Sequence, residues 1–186
     1  MSAYDLPTSL TVGGVGYKIR YNWRCVLDIL LACQDPELDE SAKTFVMLHN
    51  LYPDWKTIPR EHIAEACQKA CEFIDCGQHS DPDAPKPKLI DWQQDAAIIM
   101  PEINKIAGRE VRFDPDIHWW TFFGWFLGIG EGLFASVLSI RQKKAKHKKL
   151  EKYEEEFYKA NRSIIDIKVP ENEEIRAEKD NILKYL

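Results

Sequence analysis

Apolar residues recur at helical spacing along most of the chain. The first such run begins after Asn22, carries Trp23, Val26 and Leu30 on one face and ends before Pro36, which is typical of a helix that buries one side. Further runs begin after Asp39, near Pro59, at Asp91, near His118 and at Leu133. The pattern therefore predicts a mainly α-helical protein, a bundle of about six helices.

The N-terminal segment has a different pattern. Residues 9–21, SLTVGGVGYKIRY, place β-branched and aromatic residues on both sides of Gly13-Gly14. Two adjacent glycines accept the positive φ angles that two-residue hairpin turns need. The sequence predicts a small β-hairpin within residues 1–22, ahead of the helices.

Two segments lack hydrophobic periodicity. Residues 77–88, GQHSDPDAPKPK, combine a glycine and three prolines with polar residues, which is typical of a loop. Residues 166–186 are about half charged, and we expect a flexible tail that is disordered or folds only on a partner. Residues 1–165 are expected to form a single domain, since a chain of this length can bury a substantial core.

Composition and charge exclude several classes of protein. With 45% hydrophobic and 30% charged residues, the chain has the balance of a folded protein. Its net charge of -5 gives the whole molecule no attraction to nucleic acid or anionic lipid. The five cysteines are odd in number, and the start MSAYDLPTSL lacks the basic and apolar run of a signal peptide. We therefore expect free thiols in a reducing cytoplasm.

Motifs for catalysis or phosphate binding are absent from the sequence, including GxSxG, GxxxxGK[ST], HExxH and the EF-hand pattern. A zinc site is one hypothesis for four possible ligands, Cys67, Cys71, Cys76 and His79. Their spacing, however, differs from the spacing of the paired ligands in structural zinc sites. Cys67 and Cys71 fall on the apolar stripe of their helix, so we expect both thiols to be buried. The sequence thus predicts a protein that is not an enzyme and that holds no metal or cofactor.

Residues 119–140, WWTFFGWFLGIGEGLFASVLSI, are long and apolar enough to raise the alternative of a membrane span. Against that alternative, Glu131 falls near the middle, where an acidic group is costly, and three glycines in five residues weaken a single helix. We therefore expect two amphipathic helices around a break, in a protein that does not enter the membrane.

Aromatic and basic residues in this half are the candidates for partner binding. The aromatic candidates, which either fill the core or line an exposed groove, are Trp119, Trp120, Phe122, Phe123 and Phe126. The basic candidates come from RQKKAKHKK (141–149) and are Arg141, Lys143, Lys144, Lys148 and Lys149. A lysine-rich helix face also suits phosphates, which leaves a nucleic-acid-binding protein as an alternative. No stacking aromatics are interleaved with the lysines, so we expect an acidic protein surface as the partner of this segment.

The second half of the chain resembles a known family. The segments DWQQDAAIIMPEINKIAG (91–108) and HWWTFFGWFLGIGEGLFASVLSIRQKKAKHKKLEKYEEEFYKANR (118–162) are similar to those of tail assembly chaperones of long-tailed bacteriophages and prophages of Gram-positive bacteria. The shared elements are an Asp-Trp pair that opens an amphipathic helix, a His-Trp-Trp-Thr-Phe run, and a lysine-rich stretch that begins Ile-Arg.

The resemblance implies a function without catalysis. Such chaperones coat the long, aggregation-prone, helical tape measure protein, help to recruit tail tube subunits and are absent from the finished virion. The resemblance thus implies that this chain binds the tape measure protein in the host bacterial cytoplasm, keeps it soluble and promotes tail tube assembly. The tail tube protein and a second copy of the chain are further candidate partners, whereas nucleic acid and membrane are not.

Overall fold

The N-terminal hairpin forms as the sequence predicts. The computed structural model describes residues 5–77 and 87–168. Within them, β1 (Ser9–Val12) pairs antiparallel with β2 (Val15–Lys18). Gly13 and Gly14, in the connecting turn, both have positive φ angles, which the two-residue turn requires. Alternate residues of β1 point inward, so that Leu10 and Val12 join the core.

Three helices follow the hairpin: α1 (Trp23–Gln34), α2 (Glu40–Leu51) and α3 (Ile63–Ile74). The side chain of Asn22 accepts a hydrogen bond from the Cys25 amide at 3.0 Å and caps α1. The side chain of Asp39 accepts from the Ala42 amide at 2.7 Å and caps α2. Short 3-10 turns at Trp55–Thr57 and Arg60–His62 join α2 to α3. The predicted starts of α1 and α2 are confirmed, whereas α3 begins at Ile63, after the second 3-10 turn, and not near Pro59.

The second half contains α4 (Ala96–Ala107), α5 (Trp119–Leu127), α6 (Leu133–Ala145), α7 (Lys152–Ala160) and α8 (Arg162–Ile165). α4 begins later than predicted, because Asp91 caps a preceding turn and accepts from the amides of Gln93 and Gln94. Gly108, with φ of 68°, ends α4, as the sequence predicts.

The charged segment after α6 does not continue as one helix. α6 ends at Ala145, His147 has a φ of 52°, and α7 begins at Lys152. A capping box between Glu151 and Glu154 fixes the start of α7. The described residues therefore hold eight α-helices instead of about six, while the predicted class, mainly α with a small hairpin, is confirmed.

Residues 119–140 are divided between α5 and α6, with the break at residues 128–132. None of the helices in residues 5–77 and 87–168 combines the length and the apolar character that crossing a membrane requires. The single span across 119–140, which the sequence raised as an alternative, is therefore not present as one helix.

Most buried apolar side chains form one core cluster, which extends from Leu10 in the hairpin to Phe134 in α6. A second, smaller cluster of Val137, Ile140 and Ile165 lies between α6 and α8. The predicted loop at 77–88 and the predicted tail at 166–186 lie mostly outside the described residues.

Candidate partner-binding surface

The aromatic run of α5 begins at a histidine cap. His118 Nδ1 accepts a hydrogen bond from the Trp120 amide at 3.0 Å, and Nε2 lies 2.9 Å from the carbonyl oxygen of Pro7. Because an amide can only donate, Nδ1 is unprotonated and Nε2 carries the proton that it donates to Pro7. The ring stacks on Tyr21 with the centroids 5.2 Å apart. His118 therefore caps α5 and ties it to the N-terminal segment in its neutral form.

Three of the five aromatic candidates lie in the core. Trp119, Phe122 and Phe126 are 1%, 0% and 8% exposed. Trp119 also donates its indole N–H to the carbonyl of Ile74 at 2.8 Å, which anchors α5 to the end of α3. These three side chains hold the helices together and are not accessible to a partner.

Trp120 and Phe123 lie at the edge of the core, half-buried and packed against it. Trp120 donates its indole N–H to the carbonyl of Phe73 at 2.9 Å. Phe123 packs against Trp119 and Phe126, with ring centroids 5.3 and 5.8 Å away. Of the two interpretations that the sequence left open for these aromatics, core and exposed groove, the geometry favours the core.

The His118 cap makes the stability of the fold dependent on pH. Burial lowers the pKa of His118 below its ordinary value of 6.5, although the hydrogen bond to Pro7 opposes this shift. Below pH 6.5 the unfolded chain binds this proton more readily than the folded chain, so folding becomes less favourable as the pH falls. Above pH 6.5 both states are neutral and the stabilisation is fully present.

We therefore expect the free energy of unfolding to stay level between pH 7.5 and pH 6.5 and to decrease as the pH is lowered from 6.5 to 5.5, by at most about 1.4 kcal/mol for each pH unit from this one site. Urea unfolding at each pH measures the free energy of unfolding. His118→Asn is the matched control, since asparagine also caps helices but does not titrate. An Asn variant with the same pH dependence as the wild type would show that His118 is not the titrating group.

Arg141, the first residue of the basic run, lies in the interior and is 5% exposed. It forms a two-pronged ion pair with Asp95, which is 0% exposed, at 2.6 and 2.8 Å. Its other three N–H groups donate to the carbonyls of Leu89, Ile164 and Ile165 at 2.9, 2.8 and 2.6 Å. All five guanidinium donors are thus used. We call Arg141 and Asp95 the clamp, since they join α6 to the start of α4 and to α8.

The clamp removes Arg141 from the candidate surface. Two further basic candidates also have intramolecular partners. Lys143 binds both carboxylate oxygens of Glu154 at 2.6 and 2.7 Å, and this hydrogen bond raises the pKa of Lys143. Lys144 pairs with Asp166 and the hydroxyl of Tyr158. These lysines attach α6 to α7 and to the residues that follow α8.

The remaining lysines lie on the connector between α6 and α7, residues 146–151. Lys146, Lys148 and Lys149 are exposed, and none of them forms an ion pair with a residue that the structure describes. We call these three residues the connector lysines. They include two of the predicted candidates, Lys148 and Lys149, and they add Lys146.

The expectation that both cysteines of α3 are buried was wrong for Cys71, which is exposed, while Cys67 is half-buried. The buried face of α3 is set by Ala66, Ala70 and Phe73. At about 100° per residue, Cys71 lies past the edge of that face. Across residues 5–77 and 87–168, no three His, Cys, Asp or Glu side chains are grouped as metal ligands. His79 lies outside those ranges.

The comparisons with known proteins give one finding. A sequence model of the family described as Bacteriophage Gp15 protein matches residues 3–166. The comparison with curated proteins gives no match, and the comparison with solved structures gives none either. Because the matched residues span all but the last part of the chain, the chain belongs to the bacteriophage Gp15 protein family.

Proposed function

We propose that this phage protein is a tail assembly chaperone. It binds the tape measure protein, keeps it in solution and promotes assembly of the tail tube around it. The proposal combines the family of the chain with the resemblance of residues 91–108 and 118–162 to tail assembly chaperones. It places the protein in the host bacterial cytoplasm, outside the mature virion, with no catalytic role.

The observation that carries the proposal is the position of the connector lysines. Their connector is held on both sides, by α6 through the clamp and by α7 through the pair between Lys143 and Glu154. The positive charge of the connector lysines, which is held in place between α6 and α7, attracts an acidic protein surface and orients it. Tyr153, which is 70% exposed, lies in the first turn of α7 beside this charge. Aromatic side chains are enriched in protein-binding surfaces, and the rims of such surfaces are polar.

Binding of tape measure peptides tests the proposal. The peptides are labelled, are about 25 residues long and together cover the tape measure protein of the same phage. We expect several of them to bind the purified chain. Replacing all three connector lysines by glutamate reverses the attraction, so we expect at least about a tenfold loss of affinity at low salt. The loss should shrink as salt increases, since the lysines are exposed and their charge is screened. Fluorescence anisotropy at several salt concentrations measures both effects.

The control carries the same change in net charge elsewhere. Lys18, Lys56 and Lys105 are also exposed. They lie on β2, on the 3-10 turn after α2 and on α4, and not on the connector, so their replacement by glutamate should leave the affinity within about twofold of the wild type. A wild-type chain that binds none of the peptides would contradict the proposed function. Tight binding of duplex DNA by the wild type, lost in the connector variant, would favour the nucleic-acid alternative.

A further inference from the structure

An open groove of about 520 Å³ lies between α6 and α7. Its lining on the side of α6 is formed by Gly132, Ala135, Ser136, Ser139 and Ile140, and on the side of α7 by Tyr153, Glu154 and Phe157. Glu131 lies at the α6 N-terminal end. None of these residues belongs to the aromatic run of α5.

The α6 wall of the groove consists almost entirely of small residues. Residues 132, 135, 136 and 139 follow the three- and four-residue spacing that places side chains on one face of a helix. Small side chains on such a face let a second helix approach closely, so that the distance between the two helix axes is at the short end of the usual range of about 8–10 Å. The span from 132 to 140 is about 12 Å, or roughly two helical turns. The α6 wall therefore has the shape to receive a helix.

The α7 wall is aromatic. Tyr153 is 70% exposed and Phe157 is half-buried, so that both rings present apolar surface to the groove. An exposed aromatic ring beside a concave apolar wall is a surface that gains free energy when a partner covers it. The occupant must therefore have an apolar face.

The two ends of the groove carry opposite charges. Glu131 directly precedes Gly132 at the start of the α6 wall, whereas the end of α6, beyond Ile140, leads into the connector. The connector lysines therefore lie at one end of the groove and Glu131 at the other. Glu154, within the groove, is already neutralised by Lys143. A helix has a partial positive charge at its N-terminus and a partial negative charge at its C-terminus, so this arrangement favours one direction of binding.

We propose that the groove between α6 and α7 binds an amphipathic helix that carries acidic residues near its C-terminal end. The helix places its apolar face against Ala135, Ser136 and Tyr153, directs its C-terminal end toward the connector lysines and its N-terminal end toward Glu131. This assignment rests on the proposed function, since the helix belongs to the tape measure protein. Such binding is the helix-in-groove mode of peptide recognition.

Filling the groove tests the assignment. Ser136 is exposed on the α6 wall, so a tryptophan there occupies the groove without entering the core. We expect Ser136→Trp to weaken the peptides that bind the wild type by at least about tenfold, because the bulky side chain takes the place of the helix. Ser139→Trp, one turn further along the same face, should act in the same way. Gln142 is exposed on α6 outside the groove, and Gln142→Trp should bind within about twofold of the wild type.

The direction of binding is tested with the peptides themselves. Moving a cluster of three glutamates from the C-terminal to the N-terminal end of a bound peptide should weaken its binding at low salt, because it then faces Glu131. Circular dichroism of every variant confirms that it is folded. If the wild type binds no tape measure peptide, the proposed function fails. If the wild type binds and both folded tryptophan variants bind equally well, the groove assignment alone is overturned.

Discussion

Replacing Arg141 by methionine is expected to lower the free energy of unfolding by about 3–5 kcal/mol, which is the usual result of breaking a buried ion pair from one side. The Asp95 carboxylate, 0% exposed, would lose its charged partner. The carbonyls of Leu89, Ile164 and Ile165 would lose the donors that now satisfy them. Urea unfolding followed by circular dichroism measures the change as a shift of the midpoint at constant slope.

Lys144→Met provides the matched control, three residues further along α6. Lys144 is also paired, with Asp166, but its side chain is 40% exposed, and exposed ion pairs typically contribute less than about 1 kcal/mol. The double variant Asp95→Leu, Arg141→Met should be less destabilised than the sum of its single changes, because it contains no unpaired buried charge. An Arg141→Met variant with the midpoint of the wild type would show that the clamp does not hold the fold together.

The burial of Arg141, although not its partner, could have been anticipated from the sequence. Phe134, Val137 and Arg141 are spaced three and four residues apart, so the arginine continues the apolar stripe of α6 and not its polar face. Arg141 was predicted to be a surface residue because it is the first residue of the basic segment RQKKAKHKK. The partner, Asp95, is 46 residues away in the chain, and no local pattern indicates which carboxylate meets the arginine.

The hairpin and the first helices follow local rules, and the sequence predicted them well. Gly13-Gly14 supplies the turn, and Asn22 and Asp39 cap α1 and α2. These features depend on neighbouring residues alone, so a single sequence contains what is needed to predict them.

The break between α6 and α7 depends on contacts that are distant along the chain. In a continuous helix the local spacing would allow Lys148 to pair with Glu151 and Lys152 with Glu156. The chain turns at His147 instead, and Lys143 pairs with Glu154 across two helices. This arrangement brings the acidic segment beside the basic one and relieves the repulsion among six basic residues in nine. The groove between the two helices results from this turn, which is why the sequence alone did not indicate it.

The aromatic residues of α5 were selected as candidates because they are concentrated in one run, but their exposure cannot be read from the sequence. In the fold α5 packs against α1 and α4 and is anchored to the end of α3, so that Trp119 and Phe122 are enclosed. The candidate partner-binding surface therefore lies on α6, α7 and the connector between them, and not on α5.

The most direct test of the proposed function is the solubility of the tape measure protein in cells that do or do not produce this chain. The tape measure protein is expressed alone and together with the chain, and each lysate is centrifuged at high speed. We expect the tape measure protein to sediment when it is expressed alone and to remain mostly in the supernatant when the chain is present, because its apolar helix faces are then covered. A tape measure protein that sediments equally in both lysates would contradict the proposed function.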